Sequence, residues 1–156
     1  MGDWIGFIHA RRLASAPWGG QICEMTIVLG PGVREAMLAA AAGAGRHEAC
    51  GLLLGHGTCV ETAVATANVA QDPARHFEID PAALIGAHRL ARSGAGPQVL
   101  GYFHSHPNGI AAPSATDAAS AAHDGRVWAI VAGDAITCWH DGSDGFEPLS
   151  YRVCQG

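Results

Sequence analysis

Residues 98–117 read QVLGYFHSHPNGIAAPSATD, and the first nine are strand-like, with apolar residues leading into His104 and His106. On an extended chain, residues two apart project from the same face, so the two imidazoles point one way. Pro107, Asn108 and Gly109 then break the run. Ser114 follows Pro113 and has the character of a helix N-cap, which places Asp117 in the first helical turn. A carboxylate there is oriented near the positive end of the helix dipole. Two imidazoles and one carboxylate suit a zinc ion, and three protein ligands leave a fourth position open, as in catalytic rather than structural sites. Zinc lowers the pKa of a bound water to about 7. A hydrolytic site also needs a proton carrier, and Glu48, just ahead of the apolar run CGLLLG (50–55), is the best-placed acid because an apolar edge raises a carboxyl pKa. Ser114 could in addition donate a hydrogen bond to the oxyanion of a tetrahedral intermediate.

Working outward, MTIVL (25–29) reads as a strand and VREAMLAAAAGAG (33–45) as a helix stopped by glycine. CGLLLG suits a strand buried on both faces. TCVETAVATANVA (58–70) and HFEID (76–80) read as further strands, and PAALIGAHRLARSG (81–94) as a helix with proline at its first position. Residues 114–123 fit a short alanine-rich helix, while 126–133, 135–140 and 146–153 close the chain as strands. Helices and strands alternate early and strands dominate late, which predicts a mixed sheet flanked by helices. Cys50 reads as a small buried hydrophobe, and Trp128 and Trp139 as core packing. The remaining histidines of this region, among them His47, His76 and His123, read as surface or internally satisfied groups.

The 156 residues make about one domain, and 49% hydrophobic against 15% charged residues suits a packed globule. With 9 Lys+Arg, 14 Asp+Glu and a net charge of −5, no surface for tracking nucleic-acid phosphates is indicated. Five cysteines without a C-x-x-C pair indicate neither a disulfide framework nor a cysteine zinc site, and a reducing cytoplasm is the expected location. No apolar run approaches the roughly 20 residues that cross a bilayer. The start of the chain lacks the order of a secretory signal, since Arg11 and Arg12 follow the short apolar run rather than precede it. Residues 1–24 are expected to be a poorly ordered extension, with 25–156 as the domain and Met25 as the functional start.

His104, His106, Ser114 and Asp117 fit H-x-H, seven residues, S-x-x-D, and Glu48 lies upstream in HEACGLLLG. Together with Asn68 and PARHFEIDP (73–81), they resemble the JAMM (MPN+, Mov34/PAD-1-like) zinc metallopeptidases of small prokaryotic type, from about Met25 onward. The resemblance implies an α/β/α sandwich around a mixed sheet, the cytidine-deaminase-like JAB/MPN fold. It implies Zn2+ held by His104, His106 and Asp117, with Glu48 as general acid/base and Ser114 as oxyanion donor. It also implies hydrolysis of an amide bond, an isopeptide or C-terminal linkage, at the tail of a ubiquitin-like or sulfur-carrier β-grasp protein or its conjugates. A non-catalytic MPN-type module that binds a ubiquitin-like partner is the alternative, disfavoured because inactive relatives usually lose ligands and this chain keeps them. A zinc nucleoside deaminase is disfavoured because H-x-E…P-C-x-x-C is absent.

Overall fold

The computed structural model describes residues 25–155, and the expected extension 1–24 lies outside the described residues. Among the described residues ten elements follow one another: β1 (Thr26–Leu29), α1 (Val33–Ala44), β2 (Cys50–His56), β3 (Cys59–Thr66), α2 (Pro81–Arg92), β4 (Gln98–Ser105), α3 (Ala115–Ser120), β5 (Val127–Ala132), β6 (Ala135–Gly142) and β7 (Gly145–Val153). The strands are ordered β1-β3-β2-β4-β5-β6-β7, and β7 pairs back onto β1. The sheet is mixed, as expected: β1 runs parallel to β3 and β7, β4 runs parallel to β5, and the other pairs are antiparallel.

Alternation along the strands sorts side chains onto two faces. Ile27, Leu29, Leu53, Val60, Phe103, Ala129, Val131 and Cys138 form one buried cluster, and Val33 and Met37 of α1 pack into it. On the opposite face, α2 packs against β4, and its Ala83, Gly86 and Leu90 line a cavity shared with Leu52 and Leu54. The expected mixed sheet with helices packed on it is therefore present, with a correction to the α/β/α sandwich: the sheet closes into a barrel instead of ending in two open edges. The short strand β1 makes the seam, giving two rungs to β3 and four to β7. Pairing between the first and last strands is a long-range choice that local patterns do not encode.

Gly51 and Gly101 permit the close packing at the centre. A Cβ on Gly51 would meet the Phe103 ring and the Val64 carbonyl, and one on Gly101 would meet the Val127 backbone. The predicted strand 58–70 ends early, at Thr66, and 76–80 contributes only a bridge between Asn68 and Ile79. A polar side chain replaces the ladder there, because Asn68 Oδ1 accepts from the backbone N–H groups of Ala70 and Glu78. The predicted helix 114–123 is shorter than expected, at Ala115–Ser120. Beyond it His123 adopts φ 54°, and its backbone N–H is captured by the buried Asp141 carboxylate. No helix among the described residues is long and apolar enough to cross a membrane.

Candidate metal centre

The carboxyl end of β4 places two histidines beside the start of α3. His104 lies between Cys50 of β2 and Ile130 of β5 and is fully buried. The His106 backbone N–H donates to the Val131 carbonyl, which keeps the chain extended one step past β4. Between the two, Ser105 locks this strand end to the segment bearing Glu48. Its backbone N–H donates to the Ala49 carbonyl and its hydroxyl accepts from the Ala49 N–H, at 2.9 and 2.8 Å.

Asp117 arrives by a capping box. Its N–H donates to Ser114 Oγ, while its Oδ2 accepts from both the Ser114 N–H and hydroxyl, at 2.7 and 2.8 Å. The same carboxylate faces both histidines, Oδ1 at 3.2 Å from His104 Nε2 and Oδ2 at 3.3 Å from His106 Nε2, and the two Nε2 atoms are 2.9 Å apart. Asp117 is 4% exposed, so these groups converge in a place largely shielded from water.

With both Nε2 atoms unprotonated, two imidazole lone pairs and a carboxylate repel one another at such separations, and either a ring proton or a bound cation relieves that repulsion. Zinc–ligand bonds of about 2.0–2.1 Å in a tetrahedron set neighbouring donors about 3.3 Å apart, close to what the structure holds. His106 is prepared for that role by its other nitrogen, since Nδ1–H donates to the Ile110 carbonyl at 2.7 Å and leaves Nε2 as the acceptor. His104, His106 and Asp117 are thus a group that could hold a metal ion.

The protonation pattern follows from burial and contacts. Burial drives the His104 pKa down, and Asp117 only partly opposes it. For His106 burial pulls the same way, but hydrogen bonds to Asp117 and the Ile110 carbonyl outweigh it and raise the pKa. Burial would raise the Asp117 pKa, yet the two histidines and the Ser114 N–H hold it well below the usual carboxylate range. Glu48 is the opposite case: desolvation, resisted by His106 and helped by Asp117, lifts it to about 7. It is 6% exposed, and its Oε2 has no hydrogen-bond partner among the described residues.

All five residues singled out in the sequence are therefore placed. His104, His106 and Asp117 meet at one point, Ser114 touches Asp117, and Glu48 is close enough to feel both His106 and Asp117. In this arrangement the Ser114 hydroxyl proton is directed at Asp117. Sequence reasoning gave no role to Phe77, which stacks on the His104 ring with centroids 4.3 Å apart and planes 20° from parallel. It also took Trp128 simply as packing, although its edge closes a second side of His104 at 5.8 Å. In the sequence Phe77 figures only within HFEID, which reads as a strand, and PARHFEIDP, part of the family resemblance, because a contact that joins a loop to a distant strand has no local signature. Cys50 is buried, with its thiol near Thr66 Oγ1 and the Ala67 carbonyl.

Residues 31–142 match the family described as prokaryotic homologs of the JAB domain. A desampylase of Haloferax volcanii is 35% identical over 116 residues, covering 72% of this chain and 83% of the relative. A Desulfitobacterium hafniense protein solved in solution superposes with a TM-score of 0.73 at 30% identity, covering 84% of this chain and 94% of its own. A structure described as the JAMM metalloprotease-like zinc site of the proteasome and signalosome has a TM-score of 0.56 at 18% identity, covering 84% and 100%, and speaks for the fold alone. Domain match, shared fold and relatives of this identity converge: the chain belongs to the prokaryotic JAB-domain family, as a small JAMM/MPN+ protein.

Proposed function

We propose that this protein is a zinc-dependent metallopeptidase that hydrolyses an amide bond at the C-terminal tail of a ubiquitin-like or sulfur-carrier β-grasp protein or its conjugates. The observation that carries the reading is the convergence of His104, His106 and Asp117 on one buried point beside Glu48, a carboxyl held near neutrality. The desampylase relative supports the choice of a modifier conjugate as substrate.

Zinc bound by His104, His106 and Asp117 would act as a Lewis acid toward the scissile carbonyl and lower the pKa of water to near 7. Glu48 is the proton carrier: as carboxylate it takes the proton of the attacking water, and as carboxylic acid it returns that proton to the leaving nitrogen. A pKa close to working pH serves both halves. Ser114 donates to the oxygen that becomes negative on the substrate carbonyl. Its hydroxyl can turn from Asp117 without orphaning the carboxylate, because Asp117 Oδ2 keeps the Ser114 backbone N–H. A cavity of about 250 Å³, lined by Phe77, Ile79, Leu84, Tyr102 and Trp128 together with Glu78 and Ser120, shares with His104 the two rings Phe77 and Trp128 and suits one largely apolar side chain of an extended tail.

The test joins metal analysis to turnover. Purified protein is expected to hold close to one zinc per chain and to cleave a ubiquitin-like fusion, and Glu48→Gln to lose at least a hundredfold in kcat while keeping the metal. A protein that takes up no zinc, or a Glu48→Gln variant as fast as wild type, overturns the reading.

A further inference from the structure

Asn68 lies outside the group of residues just given chemical roles, yet its side chain is fully used. Nδ2 donates to the Glu48 carbonyl at 2.9 Å and to the His76 carbonyl at 3.1 Å. Oδ1 accepts from the N–H groups of Ala70 at 3.1 Å and Glu78 at 3.0 Å. A primary amide offers two donors and two acceptor sites, so every one is engaged. No isostere does the same: aspartate loses both donors and sets a charge against two carbonyls, and glutamine is a methylene too long.

The partners matter more than their number. His76 and Glu78 flank Phe77, so the amide grips the backbone on either side of the ring that stacks on His104. That stack is consequential because His104 lacks the usual means of orientation. A metal-binding histidine ordinarily donates its second N–H to a carbonyl, carboxylate or water. His106 does so through Ile110, whereas His104 Nδ1 is buried with no hydrogen-bond partner among the described residues. Packing takes over the task, with Phe77 on the ring face and the Trp128 edge on another side. The same amide holds the Glu48 carbonyl, while the Glu48 N–H is held by Pro73, from the same loop, at 2.7 Å.

We propose that Asn68 is a positioning residue that couples the two halves of the site: one side-chain amide fixes the backbone of Glu48 and, by bracketing Phe77, the ring of His104. This rests on the roles given above to Glu48 and His104. A hydrogen-bond donor here thus acts through a stacked aromatic ring instead of by touching the metal ligand.

Histidine-labelled, metal-free protein provides a readout that needs no turnover. The carbon-bound ring protons of His104 in wild type are expected to be displaced upfield by the Phe77 ring current. Asn68→Ala, Asn68→Asp and Phe77→Leu should each move them downfield and weaken zinc binding by roughly 10–100-fold, the usual cost of losing an outer-shell partner. Met37→Ala, which loosens the core on the other face of the sheet, should leave both unchanged. With zinc saturating, Asn68→Ala should lower kcat further than Phe77→Leu, since it also releases Glu48, with little change in KM. Folded position-68 variants with wild-type His104 resonances and zinc affinity would overturn the proposal. If those variants do not fold, the wild-type protein decides: Asn68 side-chain amide protons that exchange with solvent as freely as those of an exposed asparagine sink it, and protected ones support it. Inactivity of the wild-type protein on every conjugate would refute the peptidase reading but leave the ring-proton comparison valid.

Discussion

Glu48 has given up water on nearly all sides, and its free Oε2 carries the consequence. Its pKa stands at about 7, raised from 4.5 chiefly by desolvation. In the metal-free protein the native state therefore holds a proton that the unfolded chain releases near pH 4.5. Stability that depends on this proton is fully present below 4.5 and is lost as pH rises through about 7. Glu48→Gln should accordingly melt close to wild type at pH 4 and above it at pH 8, by at most about 3 kcal/mol. Denaturation in EDTA at both pH values checks this, and equal melting at pH 8 contradicts it. Asp117 carries the opposite sign. Its lowered pKa stabilises the fold at neutral pH, and that contribution drains away as pH falls below the ordinary carboxylate range. With a dication in place the Glu48 carboxyl is drawn down by the added positive charge. The acid limb of kcat/KM should then fall at or below pH 7, and a limb well above 7 would show that another group carries the proton.

At the scale of the element, α3 is a six-residue helix whose first turn presents Asp117. Removing its cap with Ser114→Ala should cost about 1 kcal/mol of stability. It should also weaken zinc binding by roughly 10–100-fold, because Asp117 loses a partner that orients it. Titration with a competing chelator measures the second effect, and an unchanged affinity would confine Ser114 to the oxyanion. How much was legible in advance depends on the reach of each interaction. The capping box joins Ser114 to Asp117 three residues on, and strand alternation joins His104 to His106 two residues on. Both are local, so sequence shows them. Phe77 over His104 and Ser105 on Ala49 join distant segments. Neither has a period or a spacing to announce it, and the same is true of the asparagine that ended the predicted strand 58–70. The central strands are legible as apolar runs, yet the glycines within them, Gly51 and Gly101, are demanded by close packing and not by turns. Gly101→Ala should destabilise by about 1–3 kcal/mol through overpacking against the Val127 backbone, as denaturant melts would report.

At the scale of the molecule, the two faces of the sheet have separate duties: α1 and the apolar cluster on one side, His104 of the candidate metal group and α2 on the other. Met37→Ala should lower stability by about 2–5 kcal/mol while zinc affinity stays at the wild-type value. Zinc at a thousandfold excess over its dissociation constant should add about 4 kcal/mol, so the melting temperature should fall when chelator is added, in wild type and Met37→Ala alike. The seam of the barrel carries a different implication. Thr26 has its rung with Ser150, and Leu29 with Val153. During synthesis the first strand emerges long before its main neighbour exists and waits, tethered by only two rungs to β3. The cylinder can shut only once β7 has been made, after every other strand of the sheet. A chain cut short before residue 145 would thus bear His104, His106 and Asp117 on a framework whose ends have not met.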